Sequence, residues 1–352
     1  MNLYDNKLYM EDLEYVSGLQ LPWDKLQGKS ILVSGATGLI GSFLVDVLMQ
    51  KNKTGLGCKV YAVSRNAEKA AGRFSNWSGS PLLKLVSRDI REPLEGDVTG
   101  TVDYVLHLAS NTHPLQYSTD PIGTITTNII GLQNMLEFAV KHHASRFAFA
   151  SSNEIYGENR GDTELFPEGY CGYINCNTMR AGYPESKRCG EALCQAYRAQ
   201  KGLDVVIPRL TRSYGPTMLM TDTKAVSQFI RKGIAEEDIV LKSAGTQYYS
   251  YTYAGDAVSG LLTVLLKGAD GEAYNIADER SDIMLKDLAA AIAGIAGKKV
   301  VFEIPDAVEA AGYSTATKAR LDGSKLKTLG WEARYDIQSG MRRTVAILKT
   351  LQ

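Results

Sequence analysis

Sulfur and imidazole are scarce in this chain, with 5 cysteines and 4 histidines in 352 residues. The cysteines, at positions 58, 171, 176, 189 and 194, form no C-x-x-C pair and have no histidine pair at zinc spacing, so they are read as reduced thiols and no metal is expected. Surplus charge is missing too. Lysine plus arginine number 39 against 39 aspartate plus glutamate, and no block of like charges offers a local substitute, which argues against nucleic acid and anionic membranes as partners. The longest strongly apolar stretch, 261–266, is far too short for a membrane span, and the N-terminus shows no basic start followed by an apolar core. A soluble, cytoplasmic protein is expected.

Length and glycine are present in quantity. A chain of this size buries about three quarters of its unfolded surface and needs no covalent staple. Residues 1–27 have a helix-like spacing of Leu8, Leu13 and Val16 before a Pro22-Trp23 break, predicting an N-terminal helical extension. From Lys29 the pattern alternates. Strand candidates at 31–33, 59–63, 82–86, 104–108, 146–150, 205–208 and 273–276, several separated by helix-length segments, predict an α/β fold with a doubly wound, Rossmann-type parallel sheet. The expected main domain covers 28–215, with 252–280 returning to it. Residues 216–251 and 281–352 lack the alternation and are assigned to a smaller mixed lobe that binds substrate.

Gly35, Gly38 and Gly41 stand at G-x-x-G-x-x-G spacing between the first strand and a helix. Such a loop turns tightly, admits a pyrophosphate close to the backbone and aims helix N-terminal amides at it. Gly35, Thr37, Gly38, Leu39, Ile40 and Gly41 are therefore candidate contacts for NAD or NADP. The second strand ends in Val63-Ser64-Arg65-Asn66 without the acid that accepts from a free ribose 2′-OH. Arg65 fits either a 2′-phosphate or a solvated surface position. Asp89 and Ile90 have an adenine-side reading and a purely structural one.

Tyr183-Pro184-Glu185-Ser186-Lys187 is Y-x-x-x-K at the start of a helical stretch, 185–200. Residues four apart share a helix face, so a lysine ammonium there favours the tyrosinate that acts as a base. Together with the glycine loop and Ser151-Ser152-Asn153-Glu154-Ile155-Tyr156-Gly157, this pattern resembles the extended short-chain dehydrogenase/reductase family of nucleotide-sugar epimerases, dehydratases and decarboxylases, over about 29–256. The resemblance implies that Ser152 holds the sugar oxygen, that Tyr183 and Lys187 move the proton, and that Lys187 also meets the nicotinamide ribose. It implies cofactor contacts from Leu108, Ala109 and Ser110 in the turn His107-Leu108-Ala109-Ser110, and from Asn128 in the helix 124–141. Pairing of the two long helices across a two-fold axis implies a homodimer.

Within that family, Pro114-x-x-Tyr117, Asp120-Pro121, Thr127-Asn128-x-x-Gly131-x-x-Asn134 and Gly172-x-x-Asn175-x-x-x-x-Arg180 are most similar to UDP-glucuronate decarboxylases. There, the sugar C4 is oxidised, carbon dioxide leaves and the ketone is reduced again. Glu154 is then expected to assist beside the sugar, the alternative being a loop carboxylate bonded to backbone. Asn175 and Arg180 are substrate candidates, with a structural ion pair as the other reading of Arg180. Three positions depart from the pattern. Asn153 replaces the dehydratase acid, which disfavours simple 4,6-dehydration. Arg212 stands where an Asn normally helps hold substrate. Tyr249 replaces the Arg of G-x-Q-x-R-x-F-x-Y-V-x-D, so Arg212 is read either as that positive charge relocated or as the mark of a different substrate.

The substrate class implied is a nucleotide sugar. The leading expectation is a redox-neutral decarboxylase or epimerase. A cofactor-exchanging reductase of a keto sugar is the alternative, and a silent NAD(P)-binding scaffold a third.

Overall fold

A computed structural model describes residues 2–94, 96–112, 114–303 and 317–352. Of the segments assigned from sequence, residue 1 of the N-terminal extension, 95 and 113 of the main domain and 304–316 of the smaller lobe lie outside them.

The run Ile31-Leu32-Val33 becomes β1 (Ser30–Ser34), buried along its apolar length at the centre of the principal sheet. Around it lie β2 (Lys59–Ser64), β3 (Leu83–Ser87), β4 (Tyr104–His107), β5 (Arg146–Phe149), the short β6 (Ser151–Ser152) and β7 (Val205–Leu210). With β11 (Ala273–Ile276), the strand order is β11-β7-β5-β4-β1-β2-β3, with β6 also on β7 and all pairings parallel. Order reverses between β1 and β4, and the crevice beyond their carboxyl ends is where a doubly wound sheet receives a ligand.

Helices cover both faces. On one, α1 (Lys7–Gly18), α2 (Leu39–Asn52) and α8 (Ala254–Lys267) share an apolar core with β1. On the other, α5 (Pro121–Lys141) and α6 (Gly182–Lys201) pack together. Asp120 caps α5 by accepting from the Gly123 N–H (3.0 Å), and Gly202, at φ +68°, closes α6 in the left-handed conformation. Contact between α6 and β5 needs Gly190, where a Cβ would fall 2.6 Å from Phe149 Cζ.

A second sheet is built on β10 (Tyr248–Tyr253), which pairs in parallel with β8 (Arg212–Tyr214) and Lys318–Ala319 and antiparallel with β12 (Asp282–Met284). With α7 (Ala225–Ile234), α9 (Leu285–Ala296) and the C-terminal helix Ile337–Lys349, it encloses its own apolar core. The tyrosines of β10 form a strand. From Tyr249 onward it is buried on both faces, with Tyr249 and Tyr251 turned to the cleft and Ser250 and Thr252 away from it. No helix of the described residues is long and apolar enough to cross a membrane.

Candidate active site

The carboxyl ends of the principal strands and the facing surface of α7, β9 (Ile239–Leu241) and β10 enclose a cavity of about 1100 Å³, above the usual size of a single-ligand pocket. Its floor is the glycine loop. Gly35 has φ +69° and approaches the β4 turn so closely that a Cβ would lie 2.8 Å from Ala109 N and Cα. At Gly41 a Cβ would strike Gly35 O at 2.3 Å. Both positions exclude a side chain and leave backbone facing the cleft. Gly38 caps α2 without a side chain, and the first α-helical bond runs from Ser42 N to Gly38 O (2.9 Å), so earlier amides remain directed outward. These residues fit a dinucleotide pyrophosphate. Thr37, Leu39 and Ile40 line the same wall, and Thr37 Oγ1 lies 3.2 Å from Ser64 Oγ at the end of β2.

Beyond β2, exposed Arg65 lines the cavity with Lys69. Asp89 also lines it, but its carboxylate is engaged by Arg91 (2.7 Å), whose hydrogen bonds hold it below the usual range. Ile90 is seated by α5: Gly131 leaves room for its side chain, and Asn134 Nδ2 donates to its carbonyl (2.9 Å).

The Tyr183 and Lys187 pair on α6 reaches the middle of the cavity. Lys187 Nζ donates to Ala150 O (2.8 Å) and lies over the Phe149 ring, and burial lowers its pKa to about 8. Burial pushes the Tyr183 phenol up to about 12, against hydrogen bonds from Ser152 and Ser110 and the charge of Arg180, which pull it down. Ser152 Oγ accepts from Glu154 N (3.2 Å), which leaves its proton for the cleft. The Tyr117 ring stacks on Tyr183 at 4.9 Å. Beside them, Arg180 Nη2 donates to Glu154 Oε2 (2.7 Å), and Arg212 Nη2 lies 3.7 Å from the other oxygen. Arg180 lies over Tyr117 and Arg212 over Tyr249, the latter 3.5 Å from guanidinium carbon to ring centre.

The model of the NAD dependent epimerase/dehydratase family matches residues 31–277. The chain belongs to that family. UDP-glucuronic acid decarboxylase 3 of Arabidopsis thaliana is 33% identical over 316 residues, covering 88% of this chain and 86% of that protein. UDP-glucuronic acid decarboxylase 1 of Xenopus tropicalis is 32% identical, covering 90% and 71%. Among solved structures, a UDP-glucose 4-epimerase from Thermotoga maritima, crystallised with UDP-glucose, superposes with TM-score 0.78 at 25% identity, covering 92% of this chain and all of that one. A UDP-glucuronic acid 4-epimerase from Bacillus cereus shares the fold at TM-score 0.78 and 22% identity.

In this epimerase/dehydratase-family enzyme, two residues expected to touch ligand lie elsewhere. Asn128 is fully buried behind the cavity wall, where it accepts from Ser110 Oγ (2.7 Å) and donates to Ser186 Oγ (2.8 Å). Both ends of its amide are engaged by protein, so it braces Ser110 against α6 rather than facing the cofactor cleft. Asn175 is exposed and outside the wall, its side-chain oxygen taken by the Asn177 N–H (3.1 Å) in a local turn. The remaining candidates, Ser152, Glu154, Tyr183, Lys187, Arg180, Arg212, Tyr249, Leu108, Ala109 and Ser110 among them, all line one cavity.

Part of the family enzyme's cavity wall carries no sequence signature. Lys224, which reaches Thr112 Oγ1 (3.1 Å) and Asp222 (3.2 Å), and Arg231, which donates to Asp222 O, come from α7 or just before it. No local motif marks them. Tyr117 was visible in Pro114-x-x-Tyr117, but its stacking between Tyr183 and Arg180 depends on α4 (Pro114–Thr119) folding against the turn before α6.

Proposed function

We propose that the protein is a redox-neutral nucleotide-sugar enzyme, decarboxylase-like or epimerase-like, that oxidises a sugar C4 hydroxyl with Tyr183 as base. The observation that carries this reading is the single cavity joining the glycine loop, the Ser152-Tyr183-Lys187 group and the Arg180-Glu154-Arg212 cluster. The names of the relatives support the same class.

A bound nicotinamide would supply hydride acceptance from C4 and its later return. The protein's part is positioning and proton movement. Ser152 Oγ orients the C4 oxygen, and the Tyr183 phenolate accepts the hydroxyl proton. Lys187, buried on the same helix face, stabilises that phenolate, and the backbone carbonyl of Ala150 fixes its ammonium. Gly35, Gly38 and Gly41 hold the pyrophosphate, while Leu108, Ala109 and Ser110 flank the cofactor. Arg180, Arg212 and Tyr249 hold the sugar end of the substrate beside Glu154. In this proposal the smaller lobe, 216–251 with 281–352, selects the nucleotide, and α5 with α6 forms a homodimer interface.

A second reading, an NADP(H)-dependent reductase that exchanges its cofactor, draws on one observation. The β2 end offers Arg65 and Lys69 to the cavity and no carboxylate. The deciding experiment is denaturation of the purified protein, identification of any released nicotinamide, and assay of UDP-glucuronate and UDP-glucose. Near-stoichiometric NAD with no net redox change during turnover supports the redox-neutral enzyme. Stoichiometric consumption of added NADPH supports the reductase and overturns it.

A further inference from the structure

Lys187 is a buried ammonium with no carboxylate on it. Its Nζ donates to the neutral Ala150 carbonyl (2.8 Å) and lies over Phe149. Yet Tyr183, Lys187 and Glu191 follow one another at four-residue intervals on α6, and a lysine and a glutamate so spaced on a helix ordinarily come within reach of each other. Glu191 is turned away. Both of its oxygens are held by Arg209 of β7 in a two-bond fork, Nε to Oε1 at 2.9 Å and Nη2 to Oε2 at 2.6 Å, with the two side chains 9% and 14% exposed. Arg209 is itself anchored: Nη1 donates to Tyr156 Oη (2.8 Å) and Glu168 O (2.6 Å), and Tyr156 Oη donates to Asn275 Oδ1 on β11 (2.6 Å). Gly190 lets the helix approach the sheet between Lys187 and Glu191, since a Cβ there would meet Phe149.

We propose that Arg209 and Glu191 are positioning residues for Lys187: their fork fixes α6 against β7 and keeps the Glu191 carboxylate near the ammonium but off it, so that the lysine charge stays available to the Tyr183 phenolate. This rests on the reading of Tyr183 and Lys187 as the pair that moves the proton. A carboxylate closed onto Lys187 would neutralise it and hold its proton more tightly. No other group facing the ammonium substitutes for Glu191. Tyr183 and Cys194 share its helix and His107 comes from β4. Burial pushes the phenol up to about 12 and the thiol up as well, and lowers the imidazole to about 3, so all three are neutral near pH 7. From β5 come Phe149 and Ala150, and from α5 Asn128 and Leu132, none of them charged. The charged residues of α5, Glu137 and Lys141, lie in its last two turns. Burial lowers the Lys187 pKa to about 8, and the Glu191 charge opposes that fall, which is the effect of an anion held nearby without contact.

The test is a carbon-13 NMR pH titration of the full-length enzyme labelled at lysine Cε, the Lys187 signal being the one missing from Lys187→Met. It is run with the kcat/KM profile on UDP-glucuronate or UDP-glucose, whichever turns over, and melting temperature reports folding. Arg209→Met frees the carboxylate to close on the ammonium, so the Lys187 midpoint should rise by about one pH unit or more and kcat/KM at pH 7 should fall by about 10-fold. Glu191→Gln removes the anion, and the midpoint should move below the wild-type value. The double variant Arg209→Met with Glu191→Leu replaces the buried pair with apolar side chains of similar size, which such sites tolerate. It should titrate at or below the wild-type midpoint, opposite to Arg209→Met. Displacement of both single variants in the same direction, as a merely loosened helix would give, overturns the proposal. So does an Arg209→Met midpoint equal to wild type or, if that variant does not fold, a double-variant midpoint above it. Movement of the Lys187 midpoint without movement of the alkaline limb of kcat/KM overturns the proton-moving reading of Lys187, and the positioning role falls with it.

Discussion

Ser34 and His107, the last residues of neighbouring strands β1 and β4, are joined by a 2.8 Å hydrogen bond between Oγ and Nδ1, and both are fully buried. Ser34 Oγ also accepts from the N–H groups of Leu108 (3.2 Å) and Ala109 (3.3 Å). Its single proton therefore goes to His107 Nδ1, which places the imidazole proton on Nε2. One hydroxyl thus fixes how the β4 turn meets the glycine loop. Burial, with the charge of Lys187, lowers the His107 pKa to about 3.

Ser34→Ala leaves the Ala109 amide and the buried His107 Nδ1 short of a partner, while Leu108 N–H keeps the Ser34 carbonyl (3.3 Å), so it should cost about 1–3 kcal/mol of stability and weaken nicotinamide binding more than nucleotide-sugar binding. Ser34→Thr, which keeps the hydroxyl, should restore both. The pH dependence has a definite sign. Between about 3 and the ordinary histidine value, the unfolded chain binds a proton that the folded chain does not, so His107 makes stability fall as pH falls through that window. Chemical denaturation of wild type and His107→Phe at pH 7 and pH 5 measures it. The variant should show the shallower loss.

Asp46 on α2 ties the N-terminal extension to the principal domain. Fully buried, it pairs with Arg73 and accepts from Tyr4 Oη (2.7 Å), Tyr9 Oη and Trp77 Nε1 (2.8 Å). Asp46→Ala leaves the Arg73 cation without its carboxylate and the Tyr9 and Trp77 donors without an acceptor, and should cost about 3–5 kcal/mol. Asp46→Asn should cost less, and Tyr4→Phe about 1 kcal/mol. Because none of these groups lines the cavity, KM for substrate in any variant that remains folded should stay near wild type. Thermal denaturation with steady-state kinetics checks both halves of the prediction.

This N-terminal network shows where the sequence was informative and where it was silent. Leu8, Leu13 and Val16 announced a helix, and α1 forms over Lys7–Gly18 with Leu13 and Val16 buried. Nothing local linked Tyr4 and Tyr9 to Asp46, because that contact depends on how two helices meet. The same division holds in the cleft. The strand at 273–276 and the glycine loop follow from periodicity and backbone geometry, so they were legible residue by residue. The helix containing Asn128 begins at Pro121, three residues before the predicted start, because Asp120 caps it and proline is tolerated in a first turn. For Asn128, the motif gives a position on a helix, not which side of the wall it faces, and the residue lies behind the wall. For Arg212 and Tyr249, departure from the motif at two separated positions was visible. Their stacking required the β8–β10 register.

On the outer face of α5, Ile122 is 75% exposed and Ile130 44%. Neighbouring Ile125, at 36%, meets the start of α6 beside Gly182. An apolar stripe of this kind on paired long helices is expected to be covered by a second copy. Light scattering at micromolar concentration should give the mass of two chains. The double variant Ile122→Glu with Ile130→Glu should shift it toward one chain while leaving the UDP affinity of the folded monomer intact. A wild-type mass of one chain across the range counts against the interface.

Tyr183 and Lys187 set the pH dependence of turnover in opposite directions. Burial holds the phenol up to about 12 and lowers the ammonium to about 8, so at neutral pH the ligand-free site carries a protonated tyrosine beside a charged lysine. Raising pH favours the tyrosinate, and the rate should increase with pH on the acid side. Above about 8, loss of the Lys187 proton removes the charge that stabilises the phenolate. The kcat/KM profile, which reports the groups of the free enzyme, should therefore turn over near that pH, well below the ordinary lysine range. Lys187→Met should lower kcat by about 100-fold or more and remove the turnover, leaving a rate that keeps rising with pH. Tyr183→Phe should abolish turnover at every pH while UDP affinity stays within about 3-fold of wild type, since the phenol is assigned to the reacting hydroxyl and not to the nucleotide. A Lys187→Met enzyme that keeps the wild-type bell would remove Lys187 from this role.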